Sequence, residues 1–395
     1  MGDKVVRFPG AARVSSVGRL LIPSRLKDAR KAARLTQGEL GEKIGVTRQA
    51  VSAYERGDKV PEPMVFQRIV EALKQPTTFF TGEGPSVFGQ FSTRFFRKVG
   101  PDTVRRNEAC DVLGQWFVQT AFYLNEFVSF PDVVLPEAEP DHPDGTYSID
   151  AIDEIAINLR RQWGLGAGPI SNVLALVESK GIIVCKYEMT DENVEAFSFW
   201  NGNRAFIFMA SEKTAGVRLR YDLAHELGHL ILHRWVEQSE ISDPTRLKVI
   251  ESEANRFAGA FLLPKTSFPN EVYTLKLDAF IPLKERWKVS IQSMIYRCKD
   301  LEIIDSDQFM NLYKQISFRK WRKSEPLDDP GRIQIEQPKM LRRAMEMVVN
   351  NRKSCDEIVN DLRFSGGWIE IFCNLPPGSF AADQDAEPDP PLNLR

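Results

Sequence analysis

Histidine, cysteine and long apolar runs are scarce in this 395-residue sequence. It contains four histidines and five cysteines, and no apolar run approaches the roughly 18 residues that a membrane span requires. The amino terminus lacks the apolar core of a signal peptide. The cysteines are odd in number and scattered, and they form no C-x-x-C pair: Cys110, Cys185, Cys298, Cys355 and Cys373. We therefore expect reduced thiols and a cytoplasmic protein with no membrane partner.

The charge balance is nearly neutral overall but uneven along the chain. The net charge is −2, yet residues 1–60 hold 13 Lys and Arg against 6 Asp and Glu. Residues 374–395 hold four acids and one arginine. A basic amino-terminal segment is typical of nucleic-acid binding, although a charge run is more often a solvated surface. A chain of this length has room for two or three domains.

Three of the four histidines fall within nine residues, in the segment Tyr221–His233. His225, Glu226 and His229 form the pattern H-E-x-x-H. On a helix, His225 and His229 are one turn apart and point the same way, so two imidazoles can bind one Zn²⁺. Glu226 leaves the helix beside them, where a carboxylate can take a proton from an activated water. The alternative is an amphipathic helix whose histidines and glutamate carry no metal.

The last histidine of the segment, His233, is a separate question. It follows His225 by eight residues, about 12 Å along a helix axis. Zinc–nitrogen bonds are only about 2 Å long. We therefore predict that His233 shares no metal with His225 and instead packs against the site or supports a ligand.

A third ligand must come from another segment, and the next helical run offers two glutamates. Glu251 and Glu253 flank its apolar stripe on opposite sides at similar angles. The stripe consists of Ile250, Ala254, Phe257 and Phe261. Periodicity alone does not choose between the two acids.

Several segments of residues 145–325 resemble the ImmA/IrrE family of metallopeptidase-like proteins. The resemblance rests on the H-E-L-G-H motif, on Glu251-x-x-Ala-Asn255-x-Phe-Ala, and on Leu262-Leu-Pro264. It also covers the upstream segments that begin at Arg160, Gly168, Val177 and Ala196. In the related gluzincins, the third ligand is the Glu of E-x-x-x-D, which corresponds here to Glu251. Asn255 takes the Asp position, where it can still support a ligand histidine but brings no charge.

A helix-turn-helix pattern precedes this region. Thr36 and Glu39 have the capping-box spacing that opens a helix, and Gly45 makes a turn. Thr47 caps a further helix that Gly57 ends. The residues predicted to form the core between these helices are Leu40, Val46, Val51 and Tyr54.

This segment resembles the XRE (phage repressor and Cro-like) domain. The resemblance rests on Arg30, Gln37, Leu40, Gly45-Val46, Glu55-x-Gly57 and Pro61, whereas Gly41 departs from the usual Ala. Arg48, Gln49 and Ser52 lie on the outer face near a helix amino terminus, where side chains read base edges in a major groove. Gln37 and Thr47 complete the predicted DNA-binding set. A small helical bundle without a DNA role is the alternative.

These patterns predict a multidomain fold: an all-α helix-turn-helix domain, an α+β zincin-like (gluzincin) metallopeptidase domain, and a helical carboxy-terminal region. The predicted segments are a basic arm (1–22), the XRE domain (23–75), an aromatic-rich helical connector and linker (76–145), the metallopeptidase domain (146–270), the carboxy-terminal helices (271–375) and an acidic, proline-rich tail (376–395). Within the metallopeptidase domain, Asn201-Gly-Asn203 predicts a hairpin turn between two strands.

The fusion suggests a transcription regulator that carries a zinc-dependent endopeptidase. The family resemblance implies cleavage of a repressor or partner protein in a stress, phage-defence or toxin–antitoxin setting, in a bacterium, phage or mobile element. XRE domains imply a homodimer on a palindromic operator in double-stranded DNA. The alternative is a repressor or antitoxin whose metal domain senses or binds a partner without proteolysis.

Overall fold

The computed structural model describes residues 21–82, 91–93, 101–187, 196–210 and 215–380. The predicted basic arm lies outside them except for its last two residues, as does the tail from residue 381. The described chain divides into two compact units. None of the described helices is long and apolar enough to cross a bilayer.

The first unit is entirely helical and contains the described residues up to 82, residues 101–128, and residues from 342 onward. Its helices, in chain order, are α1 (Pro23–Ala32), α2 (Gln37–Ile44), α3 (Arg48–Arg56), α4 (Pro63–Leu73), α5 (Thr77–Thr81) and α6 (Pro101–Asn125). Three carboxy-terminal helices also belong to this unit and are numbered after those of the second unit. They are α15 (Met340–Asn351), α16 (Cys355–Leu362) and α17 (Gly366–Phe372). The first two residues of α15 belong to the second unit.

The predicted helix-turn-helix is present in α2 and α3. Thr36 and Glu39 form a complete capping box at the start of α2. Gly45 ends α2 in the left-handed conformation, with φ of 70°, which glycine adopts without the penalty that a Cβ imposes. Leu40, Val51 and Tyr54 are buried between the helices as predicted, whereas Val46 is only half-buried.

An aromatic cluster connects distant parts of the chain within the first unit. Trp116 of α6 packs against Phe79 at 5.3 Å between ring centroids, against Phe364 at 5.3 Å, and against Trp368 at 5.7 Å. Phe79, Trp116 and Phe364 are buried. Since aromatic rings bury large apolar areas, this cluster brings α6 and the carboxy-terminal helices into the core of the same unit.

The second unit combines a small sheet with helices, and its described residues are 91–93, 129–187, 196–210 and 215–341. Its elements are α7 (Ile149–Gln162), α8 (Val173–Ser179), β1 (Ile183–Tyr187), β2 (Phe197–Asn201), β3 (Arg204–Ala210), α9 (Gly216–Leu232), α10 (Gln238–Ile241), α11 (Pro244–Leu262), α12 (Phe280–Trp287), α13 (Ile291–Asp300) and α14 (Ser306–Phe318). Short 3₁₀ turns occupy Phe268–Glu271 and Leu277–Ala279.

The sheet has the strand order β1-β3-β2, with β1 parallel and β2 antiparallel to β3. The hairpin predicted around Asn201-Gly-Asn203 is confirmed, because Asn201 pairs with Arg204 and the turn joins β2 to β3. Helix α9 packs against the sheet and against α11. Its leucines and Ile231 belong to the large apolar core of the unit. The helix that carries the H-E-x-x-H motif is therefore held from several sides.

The predicted fold class is confirmed. An amino-terminal helix-turn-helix domain is followed by a region of helices and a small sheet, and then by further helices.

Candidate metal centre and nucleic-acid interface

Helix α9 presents two histidines to one point. His225 and His229 are buried, with 1% and 2% of their surfaces exposed, and their Nε2 atoms are 3.0 Å apart. They lie one helical turn apart, as the motif predicts. Two nitrogen atoms at this distance can both bind one metal ion that lies beside the line joining them.

Glu251 of α11 completes this group. Its Oε2 lies 3.5 Å from His225 Nε2, and its Oε1 lies 3.3 Å from His229 Nε2. The three donor atoms lie within 4.8 Å of one another. Two imidazoles and one carboxylate form a donor set of catalytic zinc sites, in which water or substrate takes a fourth position. A tetrahedral ion with bonds of about 2.0–2.1 Å needs donors about 3.3 Å apart, so these residues fit Zn²⁺.

The two glutamates that periodicity left equivalent have different partners in the structure. Glu251 lies beside His225 and His229. Glu253 Oε2 instead lies 3.0 Å from His233 Nε2. Glu253 is itself buried, and its second oxygen accepts a hydrogen bond from the Tyr147 backbone N at 2.7 Å. A buried carboxylate requires hydrogen-bond partners of this kind. If Glu253 had been predicted to be buried, the same requirement would have predicted a donor such as His233 beside it.

His233 stands behind the metal-binding group. Its Nδ1 lies 3.0 Å from His229 Nδ1, the ring nitrogen that faces away from Glu251. The side chain is 1% exposed. Its ring therefore touches a predicted ligand from behind and lies outside the group of three converging donors.

The charges of the group follow from burial and from close contacts. Burial alone would raise the pKa of the Glu251 carboxyl, but hydrogen bonds and charge from His225 and His229 outweigh this effect and hold the pKa below its ordinary value. Burial lowers the pKa of His233 to about 4, although the hydrogen bond to Glu253 opposes this shift. Glu251 is therefore ionised and His233 is neutral near pH 7.

Glu226 and Asn255 are placed differently from each other. Glu226 follows His225 on α9 and is buried, and its backbone carbonyl accepts a hydrogen bond from Ser198 Oγ of β2 at 3.1 Å. Asn255 is exposed, and its amide donates to the backbone carbonyl of Glu251 at 2.8 Å. The expectation that Asn255 supports a ligand histidine is wrong for this structure, because the helix turns its side chain toward solvent.

Strand β2 forms one edge of the sheet beside α9. Trp200 Nε1 donates to the Leu230 carbonyl at 3.0 Å. Together with the hydrogen bond from Ser198 to the Glu226 carbonyl, this contact joins β2 to α9 at two points. At the carboxyl end of the strand, Ser92 N donates to the Trp200 carbonyl at 2.9 Å. The other end of β2, at Ser198, therefore runs along the helix turn that carries Glu226.

In the first unit, the predicted DNA-binding residues lie together on the surface. Gln37, Arg48, Gln49 and Ser52 line one shallow depression of about 260 Å³ with Arg56. Arg48 and Gln49 are exposed. Arg56 donates to Ser52 Oγ and is a member of this surface that the sequence argument missed. Its position four residues after Ser52 on one helix was the available signal.

Two predicted DNA-binding residues also have roles inside the unit. Thr47 is exposed and caps α3, because its side chain accepts a hydrogen bond from Ala50 N at 3.2 Å. Gln37 Nε2 donates to Glu55 Oε2 at 2.8 Å. The same carboxylate pairs with Arg30, so Gln37 joins the surface depression to a buried ion pair.

Comparisons with known proteins agree with this division. A helix-turn-helix family model matches residues 26–80, and the model of the IrrE N-terminal-like domain of the Peptidase_M78 family matches residues 177–299. The latter match contains His225, Glu226, His229 and Glu251.

Two curated relatives, both described as HTH-type regulators, match a short part of the chain. The uncharacterized HTH-type transcriptional regulator YgzD of Bacillus subtilis (strain 168) is 37% identical over 62 residues, which cover 15% of this chain and 94% of that protein. An uncharacterized HTH-type transcriptional regulator of Methanothermobacter thermautotrophicus (strain Delta H) is 44% identical over 48 residues, which cover 12% of this chain and 70% of that protein. The chain therefore belongs to the helix-turn-helix family through its amino-terminal domain, and it carries an ImmA/IrrE-type domain of the Peptidase_M78 family.

Proposed function

We propose that this protein is a sequence-specific DNA-binding transcription regulator that carries a zinc-dependent endopeptidase. The observation that carries the enzyme part is the convergence of His225, His229 and Glu251, with Glu226 next to a ligand on the same helix. A site that only held a metal for stability would not need Glu226 in this position. The substrate class is a repressor or another partner protein in a stress, phage-defence or toxin–antitoxin response.

The residues of the proposed site have two roles in hydrolysis, metal binding and proton transfer. His225, His229 and Glu251 would hold Zn²⁺, which when bound acidifies water and polarises the scissile carbonyl. Glu226 accepts the proton of the attacking water and returns it to the leaving amine. We propose that an edge strand of the small sheet binds the extended substrate peptide by backbone hydrogen bonds.

The test separates proteolysis from metal binding. Glu226→Gln keeps the size of the side chain but removes the proton acceptor, so we expect zinc content and DNA binding to stay and cleavage to stop. His229→Ala removes a ligand and loses both zinc and cleavage. The assay is a reporter at the protein's own promoter, with an immunoblot of a candidate partner protein. A normal promoter response in both the unmodified and the Glu226→Gln strain, with the partner left uncut in both, would instead support a sensor or antitoxin without proteolysis.

The DNA-binding part rests on the surface depression of the first unit. We propose that two chains bind an inverted repeat in double-stranded DNA as a homodimer, with Arg48, Gln49 and Ser52 at the base edges of each half-site. Arg48→Ala should cost about 1–3 kcal/mol at one base position. The control is Lys27→Ala, which removes one exposed charge from α1 away from the depression.

The assay is a gel shift on the protein's own promoter and on random DNA of equal length. We expect Arg48→Ala to reduce the preference for the promoter, and Lys27→Ala to preserve it. Gln37→Ala should weaken binding to both DNAs, because this residue is positioned by Glu55 at the edge of the depression. Equal binding of promoter and random DNA by the unmodified protein would contradict sequence-specific recognition.

A further inference from the structure

A continuous line of buried polar contacts leads from the predicted metal ligand His229 to the protein interior. His229 Nδ1 lies 3.0 Å from His233 Nδ1, and His233 Nε2 lies 3.0 Å from Glu253 Oε2. The other oxygen, Oε1, accepts the Tyr147 backbone N–H at 2.7 Å. His229, His233 and Glu253 are each at most 5% exposed, so solvent does not replace these contacts.

The direction of each hydrogen bond in this line follows from its two ends. A neutral imidazole carries one proton, on either Nδ1 or Nε2. If His229 Nε2 is the metal donor, its proton must lie on Nδ1 and must be accepted by His233 Nδ1. His233 then carries its own proton on Nε2 and donates it to Glu253. The Glu253 carboxyl group fits this position because one of its oxygens can accept from His233 and the other accepts from the Tyr147 backbone.

We infer that Glu253 and His233 are positioning residues, which fix the tautomer and orientation of His229 so that its Nε2 lone pair faces the metal. The inference rests on the proposed zinc site. It assigns the second glutamate of the Glu251-Ser-Glu253 segment a defined part in metal binding through an intervening histidine. Outer partners of ligand histidines raise ligand basicity and hold the ring in place, and their loss typically reduces metal affinity by about 10–100-fold.

Glu253→Gln tests which atoms donate and accept in these hydrogen bonds, because it keeps the size and shape of the side chain. The Tyr147 N–H needs an acceptor, so the glutamine oxygen must face it, and the glutamine NH₂ then faces His233 Nε2. His233 would have to accept there and carry its proton on Nδ1, opposite His229 Nδ1. His229 can avoid two facing protons only by moving its own proton to Nε2, where it blocks the metal. We therefore expect zinc affinity to fall by about 10–100-fold.

The measurement is competition for zinc between the purified full-length protein and a chelator, with Co²⁺ spectra as a second readout of ligand geometry. The control is Glu285→Gln, which removes the same charge at an exposed position of α12 in the same unit. Thermal unfolding of the metal-free proteins shows whether Glu253→Gln folds. If it does not fold, His233→Phe replaces it, because this change keeps a ring but removes the acceptor for His229 Nδ1–H.

The outcomes separate this inference from the proposed function. A weaker zinc affinity and a changed Co²⁺ spectrum in Glu253→Gln or His233→Phe, with the Glu285→Gln control unchanged, support the positioning role. Unmodified protein that binds zinc, together with a folded variant that binds it equally well, would overturn the inference and leave the proposed zinc site intact. Unmodified protein that binds no zinc would overturn the proposed function itself.

Discussion

Gly228, inside the H-E-L-G-H segment, lies where α9 crosses the helix that carries Glu251. A Cβ at this position would lie 3.1 Å from Phe257 Cδ1 and 3.3 Å from both the Cα and the carbonyl oxygen of Ala254. Carbon atoms in good contact are about 3.5–4.0 Å apart. Gly228→Ala should therefore push α11 away by a few tenths of an ångström. Glu251 is one turn before Ala254 on that helix, so the third ligand should move with it.

The expected size follows from two opposing effects. Ala in place of Gly in a helix interior stabilises the fold by about 0.5–1 kcal/mol. Overpacking a tight core costs about 1–3 kcal/mol. Gly259→Ala is a matched control on α11, because its Cβ would meet only Arg297 Cδ at an ordinary 3.6 Å. Relative to this control, Gly228→Ala should be less stable by about 1–3 kcal/mol.

Zinc affinity should report the same displacement. Metal–ligand distances tolerate changes of only about 0.2 Å, so a helix shifted by more than this must be pulled back when the ion binds. If the whole strain is relieved by that shift, affinity falls by up to about 100-fold, since about 1.4 kcal/mol corresponds to a factor of ten. The assays are urea unfolding of the metal-free protein and chelator competition. Equal stability and equal zinc affinity in Gly228→Ala and Gly259→Ala would refute the reasoning.

Three further predictions concern buried pairs and a helix cap. Glu55→Ala leaves the Arg30 guanidinium, 10% exposed, without its carboxylate, and should destabilise the first unit by about 3–5 kcal/mol in urea unfolding; a change below about 1 kcal/mol would contradict this. Lys284→Ala leaves the buried Glu325 carboxylate without its ammonium partner at 2.9 Å and should cost a similar amount, measured as a lower unfolding midpoint. Thr47→Ala removes the α3 cap and should cost about 1 kcal/mol, and unchanged stability would show that solvent satisfies the helix end equally well.

Local patterns predicted the main features of both units. The i, i+4 spacing of the histidines needs only helical geometry, and the caps of α2 and α3 need only neighbouring residues. The choice between Glu251 and Glu253 could not be made from periodicity, because it depends on how α11 is rotated against α9. The resemblance pointed to Glu251, and the structure brings Glu251 to the histidines. It turns Asn255 toward solvent, which the resemblance did not predict.

Long-range packing was less accessible from the sequence. The sequence predicted a helical connector within residues 76–145 and helices within residues 271–375, but it gave no sign that α6 and the last helices join the unit that contains the helix-turn-helix. That arrangement depends on contacts such as Trp116 with Phe364, which are separated by more than two hundred positions in sequence. Such pairs leave no periodic trace, since any buried aromatic residue satisfies the same local pattern.

The two oxygens of the Glu253 carboxylate have different partners, and this arrangement links the metal-binding group to the chain segment before α7. Glu253 Oε1 holds the backbone N of Tyr147, whose hydroxyl donates to the Leu232 carbonyl at 3.0 Å and contacts the Ala138 carbonyl at 3.2 Å. A metal that orders His229 and His233 thereby also orders the acceptor that anchors this irregular segment. The local opening free energy of residues 138–147 should therefore rise on metal binding. Hydrogen exchange and limited proteolysis would detect metal occupancy there, about eighty positions before the ligands in the chain.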